Sequence, residues 1–432
     1  MELLFLAILS LTLFAYQYHK GDFMSPAFIL FLVFSFSSFM GILGNQEWGV
    51  NIRLATIAVV LMGLISFFVG EVFVDQLGAN MGVRIYKMDY SKKYYKVKWL
   101  YILIFLVVGV VVFYFYYKKI NQIASLYGYR GEMSFSSLSY AKLGLGEGAQ
   151  IGTVLTIAVN IVYAVGYCCI YMFCYNVTIC NMLKRKNFYL LLPIIPQLLC
   201  NSISGSRNGF ITVFVVFFFC YNLMYYKVNG FSFRAKDLSK LFKILIIFLP
   251  LFYLVFQLLG IFLGKTSVRT PLEMLYLYTG SPMPALGKYM NTGVQNSEFI
   301  GQETFVGIAN WIHRIFGTPA GVKIFEHVRF ANDSTSNIFT CFRGYLDDFG
   351  YFGYFLVPMV CGFAYKFYYL KIKTTRKIGI GILIYSYFIY YLVSDVFACS
   401  TTIYFLSSAQ LSQFLWIFIM YYLFKKLCYR CA

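Results

Sequence analysis

Polar and apolar positions in this chain fall into long blocks. About eleven runs of roughly 17–25 mostly apolar residues, each able to cross a bilayer as one helix, are separated by short basic connectors. The runs cover approximately residues 3–18, 23–43, 52–74, 99–117, 151–180, 188–203, 210–226, 241–263, 345–369, 378–397 and 401–424. The first lacks the small-residue cleavage pattern of a signal peptide and is kept as a helix. Pro193 and Pro196 remove backbone donors from the sixth and predict a kink there.

This pattern divides the chain into helices one to four (1–117), a first polar segment (118–150), helices five to eight (151–263), a long loop (264–344) and helices nine to eleven with a short tail (345–432). Loops as long as 264–344 usually carry function. Within it, Thr270-Pro271-Leu272-Glu273 reads as a capping box with proline at the first helical position, so a short helix is expected there. Gln302–Phe316 has apolar residues at helical spacing and suits a helix on the membrane surface.

Composition supports the same class. Of 432 residues, 60% are hydrophobic and only 12% charged, too few to solvate a soluble protein of this size. The expected fold is an all-α polytopic membrane protein with about eleven transmembrane helices and one large extracytoplasmic loop containing short helices. A formal charge of +19 could suggest nucleic acid, but the lysines and arginines cluster in connectors between apolar runs, which is a topology signal. It places the N-terminus outside and the C-terminus in the cytoplasm. The eleven cysteines lie mostly in apolar runs and read as packing thiols, with Cys168 and Cys169 as helix neighbours.

With the cytoplasmic clusters set aside, Arg130, Arg207, Arg269, Arg314, Arg329 and Arg343 remain on the outer side. A guanidinium matches phosphate oxygens in a bidentate way and keeps its charge in a half-buried site. Several converging on one cavity would suit a lipid-linked pyrophosphate, whereas separately each would pair with a nearby acid or a headgroup. Arg207 stands out, because Ser204-Gly205-Ser206-Arg207-Asn208-Gly209 forms a tight turn between two apolar runs, with glycines free to expose backbone amides. Arg343 lies four and five residues before Asp347 and Asp348, so a local salt bridge is its simplest partnership on a helix. A general base would come from Asp348, Asp347, Glu273, Asp333 or His313. The adjacent Asp347-Asp348 lacks the spacing of a divalent-metal site, so neither metal nor cofactor is expected.

Three stretches resemble the Wzy-type polymerases of O-antigen and capsule repeat units: Ser204–Gly209, Leu275–Tyr289, and Asn337-Ile338-Phe339-Thr340 with Phe342-Arg343, Asp348-Phe349-Gly350 and Gly353. The resemblance, in a GT-C-like fold, implies metal-independent glycosyl transfer on the outer face of a bacterial cytoplasmic membrane. A growing glycan on undecaprenyl pyrophosphate would move onto another lipid-linked repeat unit. Arg207 and Arg343 would then neutralise the departing pyrophosphate, with Arg130, Arg269 and Arg329 as further anion contacts, while Asp348 or another of Asp347, Glu273 and His313 takes the acceptor proton. Asn337, Tyr345 and Tyr278 would hold sugar. The implied partners are undecaprenyl-pyrophosphate-linked glycans and membrane lipids, with room for a chain-length regulator protein and none for nucleic acid. A ligase of the O-antigen type would share the leaving group. A lipid-linked oligosaccharide flippase would share the arginine lining, but alternating access usually shows internal repeats and short loops.

Overall fold

The computed structural model describes residues 1–131, 141, 145, 149–203, 208–233, 271–321 and 326–431. The expected eighth span, 241–263, and the residues Ser204, Gly205, Ser206, Arg207 and Arg269 lie outside this set. The described chain is helical without a sheet core, and its only strands form two short antiparallel pairs. The helices are α1 (Glu2–Tyr18), α2 (Pro26–Trp48), α3 (Leu54–Asn80), α4 (Trp99–Leu126), α5 (Thr153–Thr178), α6 (Ile194–Ile203) and α7 (Asn208–Val228), followed after the gap by α8 (Pro271–Gly280), α9 (Pro282–Thr292), α10 (Val306–Phe316), α11 (Phe342–Gly353), α12 (Leu356–Thr374), α13 (Gly381–Ser394) and α14 (Ser408–Cys428). The strands are β1 (Lys93–Tyr95), β2 (Val328–Arg329), β3 (Thr335–Ser336) and β4 (Tyr429–Cys431).

Among the described residues, α2, α3, α4, α5 and α7 are long and apolar enough to cross a membrane, and the chain is an all-α membrane protein. The local chemistry sets the ends of these helices. Pro26 starts α2 where no amide donor is needed, and Gly49, at φ +61°, closes it in the left-handed conformation that costs glycine least. The predicted kink near Pro193 is a real break, with a 3-10 turn over Phe188–Leu191 preceding α6.

The expected continuous helix 345–369 is corrected. It is two helices, α11 and α12, and within α11 Gly350 adopts φ 62° and ψ −176°. That conformation is open to glycine and breaks the helical register ahead of α12, whose first turn holds Pro358. The break lets α11 stay with the loop while α12 runs down α3. The α3–α12 contact is close because both helices present glycine: a Cβ on Gly70 would sit 2.0 Å from the Met359 carbonyl oxygen, and one on Gly362 would sit 2.0 Å from that of Phe67. Small residues at such crossings let backbones approach and dispersion contacts accumulate.

One end of the bundle is fastened by residues 86–96. Backbone bonds run from Tyr86 to Lys373, Met88 to Lys227, Ser91 to Ile179 and Lys96 to Cys428, so the ends of α12, α7, α5 and α14 share this basic end. Here β1 pairs with β4, and the Asn176 side chain clamps Tyr95 by accepting from its amide and donating to its carbonyl, both at 2.8 Å. The opposite end carries the α2–α3 turn and residues 271–345. The two regions meet there through described residues, with the Ala331 amide on the Trp48 carbonyl and Asn332 on Glu47.

Candidate functional site

At the loop end, α11 places Arg343 and Asp347 one turn apart, and both are buried, at 2% and 4% exposure. The Arg343 guanidinium sits in an aromatic corner, 4.1 Å from the ring centres of both Tyr289 on α9 and Phe339. Its Nη2 donates to Glu326 Oε2 at 2.6 Å, and its Nε lies 3.5 Å from Asp347 Oδ2, outside hydrogen-bond geometry. Asp347 accepts a hydrogen bond from the Tyr289 hydroxyl, which in turn accepts from the Gln295 amide at 2.8 Å. Burial pushes the Tyr289 hydroxyl up, and its bond to Asp347 acts in the same direction, so it remains a donor.

Glu303 completes the group. Burial pushes its carboxyl up to about 8, the nearby Asp347 and Asp348 carboxylates add to the shift, and Arg343 opposes it. Near neutral pH Glu303 therefore holds a proton beside an acceptor, the arrangement expected of carboxyls that cannot both ionise. Asp348 has a different role. It accepts from the Glu303 amide at 3.2 Å and the Thr304 amide at 2.6 Å, which fixes the turn that carries Glu303. A carboxylate committed to two amides is poorly placed as a base.

The group is rich in unspent polar atoms. Arg343 Nε and Nη1, Glu303 Oε2, Ser297 Oγ and Thr340 Oγ1 are all buried without a hydrogen-bond partner. They cluster through the backbone as well, since Ser297 donates its amide to the Asp347 carbonyl and Arg343 to that of Thr340. Buried donors and acceptors left open in one place are costly unless water or a polar ligand meets them.

The other expected site residues lie apart from this cluster. Glu273 is half-buried in the first turn of α8, and Tyr278 is half-buried on the same helix. His313 is exposed near the end of α10, its Nδ1 against the Thr318 carbonyl. Arg314 lies 5.7 Å from the Trp311 ring on that helix. Arg130 is exposed just beyond α4. Arg329 pairs with Asp333 at 2.9 and 3.0 Å on the exposed β2–β3 hairpin. Asn337 is exposed after β3. Tyr345, expected to hold sugar, is buried beside Phe342, 2% exposed with the two rings edge-on, because the helical turn points it at the bundle.

Sequence reasoning missed Tyr289, Phe339, Glu303 and Glu326 as site residues. Tyr289 and Phe339 lie inside stretches already singled out, but Glu303 and Glu326 have no local signature. It also missed a second buried group at the basic end. There His19 Nε2 lies 2.8 Å from Glu71, Lys366 Nζ 3.0 Å from Asp75 and 3.2 Å from His19 Nδ1, and Asp22 accepts from Tyr369 at 2.9 Å and Lys373 at 2.8 Å. Comparison of the chain with protein-family models, with curated proteins and with solved structures returned no match.

Proposed function

We propose that this protein is a metal-independent glycosyltransferase that polymerises undecaprenyl-pyrophosphate-linked repeat units on the outer face of a bacterial cytoplasmic membrane. In this reading the expected spans, about eleven of them, all cross; the N-terminus and the loop end face out, and the basic end faces the cytoplasm. The observation that supports it best is the buried Arg343 with Nε and Nη1 unspent, beside Asp347 and the half-buried Glu303.

The chemistry follows from those groups. A donor pyrophosphate would displace Glu326, whose side chain is 57% exposed, from Arg343 and take up the idle guanidinium donors. Charge develops on the leaving oxygens as the anomeric bond breaks, and a fixed cation in a dry site is worth most at that moment. Asp347 replaces Asp348 as the general base for the acceptor hydroxyl, because Asp348 is occupied by amides. Tyr289 orients Asp347, and Glu303 relays or buffers its proton. Arg207 would add a second cation if the turn between α6 and α7 meets the same site.

The test is a ladder assay in lipid with undecaprenyl-pyrophosphate-linked units and a chelator, comparing wild type with Arg343→Lys, Asp347→Asn and Arg207→Ala. A metal-independent ladder that all three variants lose, with folding intact, supports the reading. Transfer to a non-glycan acceptor alone would make the enzyme a ligase. One observation favours the flippase alternative: the buried His19, Glu71, Asp75 and Lys366 group at the basic end resembles the ionisable pathways of transporters. No ladder but movement of the unit across sealed vesicles would establish it instead.

A further inference from the structure

The Arg343 cluster has one cation facing Asp347, Asp348, Glu303 and Glu326. That single cation is taken up by the donor pyrophosphate in the proposed reaction, which leaves none there for a charged sugar. A second cavity at the same end has the opposite character. It is an open cleft of about 540 Å³ lined by Arg53, Lys288 and Arg329, with Asn51 and Asn291 and a single acid, Asp333. Arg329 already pairs with Asp333, whereas Arg53 makes no ion pair among the described residues, and the Lys288 ammonium donates to the Arg329 carbonyl. The wall is rigid. Trp48 stacks on Phe330 at 5.1 Å and 20°, the Ala331 amide donates to the Trp48 carbonyl, and Asn332 donates to Glu47.

The two sites share α9. Lys288 faces the cavity, and the next residue, Tyr289, lies on Arg343 and donates to Asp347. We infer that the cavity is a binding subsite for an anionic saccharide, a sugar bearing a carboxylate or phosphate, which it holds beside the reaction centre. The volume is that of a small-ligand site, and the two asparagine amides suit hydroxyls as well as charge. The cations supply what the acid-rich centre cannot, and an uncharged sugar would have no use for them. This inference deepens the transfer reading for the fate of the sugar but does not need it for binding.

The experiment is calorimetric titration of the full chain in phosphatidylcholine nanodiscs with tetragalacturonate, maltotetraose and dihexanoyl phosphatidylglycerol. Saturable binding of the uronate but not the neutral sugar is expected, weakening with salt. It should fall about tenfold or more in the double variant Arg53→Ala/Lys288→Ala, since two attractive charges are removed. Both side chains are exposed, and an unchanged thermal transition checks that the variant is folded. Absence of uronate binding, equal binding of maltotetraose, or an unaltered double variant overturns the assignment. Binding of the phospholipid without the uronate also overturns it, in favour of a headgroup site. Because the titration involves no turnover, a missing glycan ladder with intact uronate binding refutes only the transferase, and a ladder without uronate binding refutes only the cavity.

Discussion

The ring of Tyr289 lies 4.1 Å from the Arg343 guanidinium while its hydroxyl donates to Asp347, so one side chain steadies both partners of a buried ion pair. The ring contributes cation–π attraction and the hydroxyl contributes orientation. Tyr289→Phe therefore separates the two. It is expected to keep the fold and the aromatic contact but to lower turnover about tenfold, the scale of one lost hydrogen bond. Tyr289→Ala should lose further activity and also lower the melting temperature. Equal turnover for Tyr289→Phe and wild type in the ladder assay would remove Asp347 from the reaction.

The raised Glu303 carboxyl makes stability depend on pH. Its ordinary value is 4.5 and its folded value about 8, so the folded state binds the extra proton between them. Stability from this group is complete below the ordinary value and is lost as pH rises through the folded one. The melting temperature of wild type is expected to decline from about pH 5 to pH 8 and then level off with respect to this group. Glu303→Gln, which keeps a donor at every pH, should flatten that slope. A slope of unchanged size in the variant would assign the titration to another group.

Some of this site was legible in the sequence. The four- and five-residue spacings from Arg343 to Asp347 and Asp348 left a local salt bridge open as the simpler reading, and the pair that forms is with Asp347, because i and i+4 share a helix face. A short helix expected from Pro271 onward is present as α8, although Thr270 of its capping box lies outside the described residues, and the break near Pro193 followed from missing amides. The division of labour between Asp347 and Asp348 was not legible, because it depends on which carboxylate meets the 303–304 amides. Neighbouring residues on a helix diverge by about 100°, and the loop path decides what each one meets. Glu303, Glu326 and Phe339 reach Arg343 only through that path. The split of the ninth span was hidden for a related reason, since Gly350 is compatible with a helix by apolar pattern but adopts φ 62° here.

Gly362→Ala tests the closest helix contact. In an ordinary helix this substitution stabilises by roughly 1 kcal/mol through propensity. Here the new Cβ would lie 2.0 Å from the Phe67 carbonyl oxygen, a backbone atom that cannot rotate away. Separating α3 from α12 should cost about 1–3 kcal/mol or more and reverse the usual sign. Denaturant unfolding in a fixed micelle measures it. An increase in stability would mean that α3 and α12 do not approach as closely as Gly70 and Gly362 allow.

The buried group at the basic end predicts strong coupling between Glu71 and Lys366. Glu71 is fully buried, accepts from the Ala27 amide at 2.7 Å and the Ser25 hydroxyl at 3.0 Å, and lies 3.9 Å from Lys366 Nζ. Its carboxylate thus satisfies the start of α2 and offsets a lysine that is itself only 5% exposed. Glu71→Ala removes both and is expected to cost about 3–5 kcal/mol, the usual consequence of leaving one partner of a buried pair. Glu71→Gln retains a carbonyl for the Ala27 amide, so the remaining loss reports the charge together with the Ser25 bond, which an amide nitrogen cannot accept. Lys366→Met leaves Glu71 and Asp75 without that cation and should also destabilise. In the double variant Glu71→Gln/Lys366→Met only Asp75 still lacks its cation, while Glu71 and Lys366 no longer strand each other, so its loss is expected to fall short of the sum of the single losses by about 1 kcal/mol or more. Unfolding free energies of the four proteins in one micelle give the coupling directly. Strict additivity would show that His19 and Asp75 compensate each charge separately, and the group would then be two independent contacts instead of one network.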